Sequence, residues 1–490
     1  MKRITAFLAA LFLAAGVLSA RESLKVASIF SDHMVLQRET QAPVWGLAQP
    51  GAKVTVSPSW DEKSKYTAKV EKDGSWKVGI KTPEAGGPYV LTVSCGKETV
   101  SVKDVLIGEV WVFSGQSNMD MPLRGYGIQT VDGMTEEIIA SPRYAGKVRA
   151  FRSKRPANVE PQKDIPETAW TVAAGENAAR LSAIAWFFAT RLSDALGVPV
   201  GVIDSSWGGS KIEPYMTAES VRRALEGSVP SSRLQHVMDR KNQPKKAPVE
   251  VATTWNSRML PLAGYAARGF IWYQGEANRK DRYYDLLQAA MVDLWRTAWG
   301  DKEKKMPFMF TTIAPYRYGD SQATVRPFFV ENQLHSLKFI PNAYAAITES
   351  LGNEICIHPA KKRQVAQQFL LYALENTYGI KMGMGSGYPK PTGFEFKDGV
   401  VTIPFTNTAN GLGNINNRKV KGFELAGEDH VFHPAEAEIA SDNKSVVVKS
   451  AAVPGPIAVR YNFHNYADGD LENSYGVPVP CFRSDDWAEE

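Results

Sequence analysis

Cysteine is scarce: the 490 residues hold three, Cys95, Cys356 and Cys481, far apart and in no CxxC or CxxH pair. That excludes a zinc ribbon or a disulfide-stapled scaffold and allows at most one disulfide beside a free thiol. An excess of one charge is also lacking. The 57 Lys and Arg against 52 Asp and Glu are interspersed and leave +5, so nucleic-acid binding finds no support. The absence of low-complexity tracts excludes a mainly disordered or collagen-like chain. Beyond the first twenty residues no apolar run is long enough to cross a bilayer.

Those first residues form a pattern of their own. Met1-Lys2-Arg3 is followed by an apolar run from Ile4 to Val17 and by Leu18-Ser19-Ala20 before the first charges at Arg21 and Glu22. A positive start, a short apolar middle and a small residue at the cut predict a signal peptide over 1–20, cleaved after Ala20. Export with sparse cysteine suits a bacterial periplasmic, secreted or surface protein.

The length exceeds what one core usually organises, and 44% hydrophobic and 10% aromatic residues can bury a large one, so two or three domains are expected. Residues 21–104 alternate in short runs such as Val54-Thr-Val56, Trp76-Lys-Val78 and Tyr89-Val-Leu-Thr-Val93, split by turn signals at Asp73-Gly74 and Gly86-Gly87-Pro88. They predict an antiparallel β domain. Over 105–380 the rhythm becomes apolar strand, polar turn, amphipathic helix. The strands are expected at Val110–Phe113, Val200–Asp204, Phe270–Tyr273, Phe308–Ile313 and Tyr344–Thr348. The helices are expected at Leu181–Leu196, at Tyr284–Trp299 and from Pro359 to a stop at Gly379. This is the α/β pattern of a parallel sheet flanked by helices. Beyond 381 alternation returns in Val400–Ile403, Ser445–Val448 and Ile457–Tyr461, predicting a second β domain over 381–490.

In such a sheet ligands bind beyond the carboxyl ends of the strands. The first strand runs into Ser114-Gly-Gln-Ser-Asn-Met119, which makes Ser117 both a candidate nucleophile and a candidate helix cap. It is not the GxSxG elbow of lipases. The second runs into Ser205-Ser-Trp-Gly-Gly-Ser-Lys-Ile-Glu213, where the amides of Gly208 and Gly209 can approach an oxyanion or simply make a turn. The third ends in Trp272-Tyr-Gln-Gly-Glu-Ala-Asn278: Gln274 is a further oxyanion donor, and Glu276 either binds substrate hydroxyls or braces loops. The last delivers His358 just before the final helix. A serine hydroxyl is a weak nucleophile until an imidazole takes its proton, and the oxyanion needs preorganised donors, so these segments together carry the parts of an acyl-transfer site.

Gly115-Gln-Ser-Asn118, Ser206-Trp-Gly-Gly-Ser-Lys-Ile-Glu213, Ile271-Trp-Tyr-Gln-Gly-Glu276 and Ile357-His-Pro359 together resemble the SGNH-hydrolase superfamily, specifically its sialate O-acetylesterase branch. The resemblance extends into the β segments at Gly422–Gly427 and Ala458–Tyr461. It implies a flavodoxin-like α/β esterase domain with N-terminal and C-terminal β domains, acting on O-acetylated carbohydrates without metal or cofactor. O-acetylated sialic acids are the favoured substrate, with acetylxylan or another acetylated glycan as the alternative and a non-catalytic glycan-binding protein as the alternative of another class. It implies Ser117 as nucleophile and His358 as base. The oxyanion hole would be built from the Ser117 amide, the Gly208 or Gly209 amide and Gln274, with Asn278 nearest to the third-motif asparagine of other members. Asn118, Glu276 and Asn278 are the candidate substrate contacts. The chain departs from the family at the acid: the position three before the histidine is Ile355 and the next is Cys356. That leaves Glu354 as first candidate, Glu349 as second, or a backbone carbonyl and a Ser-His dyad.

Overall fold

A computed structural model describes residues 23–154, 157–243, 246, 248–383, 387–413 and 418–488. The leader expected at 1–20 lies outside the described residues.

Val200–Asp204 and Gly269–Tyr273 are buried at every position, because a parallel strand covered by helices on both sides has no solvent face and so reads as a continuous apolar run. The five expected strands occur as the end of Glu98–Gly115 and as Val200–Asp204, Gly269–Tyr273, Phe308–Thr311 and Ala343–Ala346, all paired in parallel. Numbered along the chain they stand in the order 2-1-3-4-5, the order of flavodoxin-like sheets. Two strands not anticipated extend one edge: Val148–Arg152 pairs in parallel with Val200–Asp204, and Trp170–Val172 closes the edge antiparallel.

Helices cover both faces. Ala183–Leu196 and Lys362–Tyr372 pack on one, and Ala218–Leu225, Tyr284–Ala298 and Val325–His335 on the other. The first starts two residues later than expected, because the Ser182 hydroxyl accepts the Ala185 amide at 3.3 Å as its cap, and Gly197 ends the helix at φ 68°.

The boundary expected at 104/105 falls inside one strand. Glu98–Gly115 is 18 residues long: its first half pairs antiparallel with Gly86–Cys95, and its second half is the central strand of the parallel sheet. The N-terminal β layer therefore shares both a sheet and a hydrophobic core with the α/β region. The C-terminal strands, among them Val400–Thr406, Ser445–Lys449 and Ala458–Tyr461, form separate sheets around their own core. All three cysteines carry free thiols. Among the described residues no helix is long and apolar enough to cross a membrane.

Candidate active site

The candidate residues lie beyond the carboxyl ends of the central strand, its two neighbours and the last strand. Gly115 closes the central strand at φ 138°, and a Cβ there would stand 2.1 Å from the Tyr273 carbonyl oxygen; only glycine lets the chain turn so close to the next strand. Ser117 then opens a one-turn helix, Ser117–Asp120, and is half-buried. The Tyr126 hydroxyl donates to the Ser117 carbonyl at 3.3 Å and to Asp120 Oδ2 at 3.2 Å, and its ring packs edge-on against the His358 imidazole, 5.4 Å between centroids.

The glycine pair reaches the serine from the second strand. The Trp207 amide donates to the Gly115 carbonyl at 2.9 Å, and Arg258 Nη1 donates to the Ser206 carbonyl at 3.1 Å, pinning the turn. A Cβ on Gly208 would lie 3.5 Å from Ser117 Cβ, so the Gly208 backbone rests against the serine. Gly209 is exposed at φ 76°. Among the described residues neither the Ser117 nor the Gly208 amide has an acceptor.

The third strand supplies bracing. Gln116 Oε1 accepts from the Gly275 and Ala277 amides, both at 3.3 Å. Gln274 is fully buried, and its Nε2 faces Gln116 Oε1 at 3.1 Å, the Ser210 carbonyl at 3.1 Å and Asn278 Oδ1 at 2.7 Å, while its Oε1 accepts from the Tyr284 hydroxyl at 2.7 Å. Two hydrogens facing three protein acceptors leave none for an oxyanion. Asn278 is equally committed: Oδ1 accepts the Ile212 amide at 3.1 Å, and Nδ2 donates to Glu213 at 3.1 Å and Asp281 at 3.0 Å.

Asn118 ties the serine segment to the histidine segment. It is 1% exposed; its Nδ2 donates to Glu276 Oε1 at 2.6 Å and to the Ile357 carbonyl at 3.1 Å, and its Oδ1 accepts from Lys362 Nζ at 2.6 Å. Lys362 and Glu276 are both buried. Burial pushes the lysine down to about 7, against the opposing pull of Glu276, and pushes the Glu276 carboxyl up. Asn118 and Asn278, expected as substrate contacts, are committed to protein partners, and Glu276, expected either to bind substrate or to brace loops, takes the bracing bond from Asn118.

His358 is half-buried, and its Nδ1 lies 2.7 Å from Gln129 Oε1. A carboxamide oxygen only accepts, so Nδ1 carries the hydrogen and Nε2 presents its lone pair. Burial first, and the Lys362 charge second, lower the imidazole to about 4. The orienting group is thus neither expected glutamate. Glu354 is exposed and accepts from the Ser321 hydroxyl at 2.6 Å. Glu349 is buried, ion-paired with Arg326, and takes the Cys481 amide at 3.2 Å. Gln129 lies in the Tyr126–Gln129 turn, whose ends bond to each other at 2.9 Å; it falls outside all four motifs, and no residue pattern marked it.

Three basic side chains near these residues serve the protein itself. Arg258 spans the Ser206 and Ser153 carbonyls, Lys211 donates to the Ala277 carbonyl and Asp281, and Arg279 donates to the Glu276 carbonyl and lies over the Tyr318 ring. Arg124, by contrast, lines an open cleft beside Tyr126.

This geometry coincides with a family boundary. The family model described as carbohydrate esterase, sialic acid-specific acetylesterase, matches residues 107–365, from the serine strand into the histidine helix. The chain is a carboxylic ester hydrolase and belongs to that family. It is similar to the sialate O-acetylesterase of Mus musculus, 26% identical over 501 residues and 90% of each chain, and to that of Homo sapiens, 28% identical over 74% of this chain and 73% of the other. Its fold is similar to a crystal structure of a carbohydrate acetylesterase from Xanthomonas citri, with TM-score 0.82, 32% identity, 94% of this chain and 100% of that one.

Proposed function

We propose that the enzyme removes O-acetyl groups from carbohydrates, O-acetylated sialic acids foremost, through an acyl-enzyme on Ser117. Ser117 Oγ attacks the acetyl carbonyl while His358 Nε2 takes its proton. The tetrahedral oxyanion is held by the Ser117 and Gly208 amides. Collapse breaks the bond to the sugar oxygen, which leaves with the proton from His358. A water then attacks the acyl carbonyl and gives a proton to His358, and collapse releases acetate and returns the proton to Ser117. Gln129 holds the imidazole in the tautomer that accepts at Nε2. Gln274, Asn118, Glu276 and Asn278 keep the loops in register.

The observation that carries this reading is the Asn118 bond to the Ile357 carbonyl, which joins the residue after the serine to the residue before the histidine. Ser117→Ala and His358→Ala should each lower p-nitrophenyl acetate turnover by at least about a thousandfold. Undiminished turnover in either variant overturns the assignment. The sialic acid preference is supported by the family description and by the relatives' names; faster acetate release from acetylated xylan overturns it. Export is proposed from residues 1–20, and a mature protein beginning at Arg21 is the expected result of N-terminal sequencing.

A further inference from the structure

One cleft opens beside the Tyr126 ring, with a volume of about 580 Å³, and three guanidinium groups line it: Arg124, Arg152 and Arg180. Its size falls within the range that holds a small ligand. It adjoins the candidate site directly, because Tyr126, one of its walls, bonds the Ser117 carbonyl and packs on His358.

The three arginines are not equivalent. Arg152, 32% exposed, turns inward: its Nη2 donates to Asp120 Oδ1 at 2.7 Å, its Nε lies 3.4 Å from Asp204 Oδ2, and Nη1 donates to the Arg180 carbonyl. Arg124 and Arg180 are 54% and 62% exposed and share one carboxylate through one oxygen, Glu176 Oε1, at 3.4 Å from Arg124 Nη1 and 2.6 Å from Arg180 Nε. On the exposed rim two guanidiniums face one carboxylate, Glu176, while the inner Arg152 faces two, Asp120 and Asp204; the charges balance overall, and what the rim offers is spare guanidinium donors. Among the described residues, Arg124 Nη2 and the two Nη groups of Arg180 have no protein acceptor. Planar forks of this kind match a carboxylate with paired, charge-assisted hydrogen bonds.

We propose that this cleft is the subsite for the carboxylate of an acidic O-acetylated sugar, held by Arg124 and Arg180 while the acetyl ester reaches Ser117. The inference rests on the esterase reading and adds to it the residues that select acidic over neutral sugars. Sialic acids and uronic acids both offer a carboxylate, and the test separates them.

Acetate release is measured with an O-acetylated sialic acid and an O-acetylated glucuronic acid, each against its own carboxyl methyl ester, in the wild type, in the double variant Arg124→Gln/Arg180→Gln, and in Glu176→Gln. In the wild type kcat/KM should favour at least one free acid over its methyl ester by about tenfold, and the acid so favoured names the source. The double variant should bring that ratio to near one. Glu176→Gln, which releases both guanidiniums without removing either, should raise it. No acid preference in the wild type, or a preference unchanged in the double variant, overturns the inference. The esterase reading is judged separately by wild-type turnover of p-nitrophenyl acetate, which carries no carboxylate: turnover without acid preference removes the subsite alone, and absence of turnover removes the esterase reading itself.

Discussion

His358 donates its orienting hydrogen bond to a carboxamide, and this changes its proton chemistry. A carboxylate at Nδ1 fixes the tautomer and also stabilises the imidazolium; Gln129 does only the first. With burial and the Lys362 charge both disfavouring the charged ring, the imidazole sits at about 4. It must be neutral to accept the serine proton, so kcat/KM should stay flat from neutrality downward and fall only as the pH passes through about 4. Gln129→Glu places a negative charge beside the ring, favours the protonated form and should move this acid limb up by about one to three pH units. A limb that stays in place would show that Gln129 does not face the ring in solution. Lys362→Met removes a positive neighbour and should also raise the limb, by less than burial lowers it. A purely structural loss would lower the plateau without moving the limb.

At the scale of elements, the loops are held by buried polar side chains: Asn118 and Asn278, expected as substrate contacts, and Glu276, for which bracing is one of two expectations. Asn118 makes three hydrogen bonds, to the loop after the third strand, to the histidine loop and to the first residue of the final helix. Asn118→Ala would leave Lys362 and Glu276 buried without their shared partner, and should lower unfolding stability by at least about 3 kcal/mol in denaturant titration. A loss under about 1 kcal/mol would contradict the bracing role. The parallel strands were legible because burial on both faces leaves an apolar run, as in Val200–Asp204. Val148–Arg152 was not, because its arginines break that run: Arg149 is buried against Asp104 at 3.0 Å, a pairing only the folded chain reveals. Ser117, Gly208 and His358 were legible as strand-end residues in marked motifs. Gln129 was not, since an ordinary turn glutamine acquires its role only when the histidine loop arrives 229 residues later.

At the scale of the molecule, Glu349, the second candidate for the acid, belongs to the seam between the α/β region and the C-terminal sheets. It pairs with Arg326, whose Nη1 donates to the His464 carbonyl at 3.1 Å and whose amide donates to Asn465 Oδ1 at 2.9 Å. Both partners are buried, so Glu349→Ala leaves an uncompensated guanidinium and should cost about 3–5 kcal/mol. Activity of the surviving folded fraction should be unaltered. Lost activity with unchanged stability would return Glu349 to the catalytic group. The continuous Glu98–Gly115 strand likewise makes the N-terminal layer part of the esterase fold.

The central claim is that Ser117 is the nucleophile that His358 activates, and covalent trapping tests it most directly. After reaction with diisopropyl fluorophosphate, mass spectrometry should find the adduct on the peptide carrying Ser117, and labelling should be slowed by at least about a thousandfold in His358→Ala. An adduct on another residue, or undiminished labelling of Ser117→Ala, would contradict it.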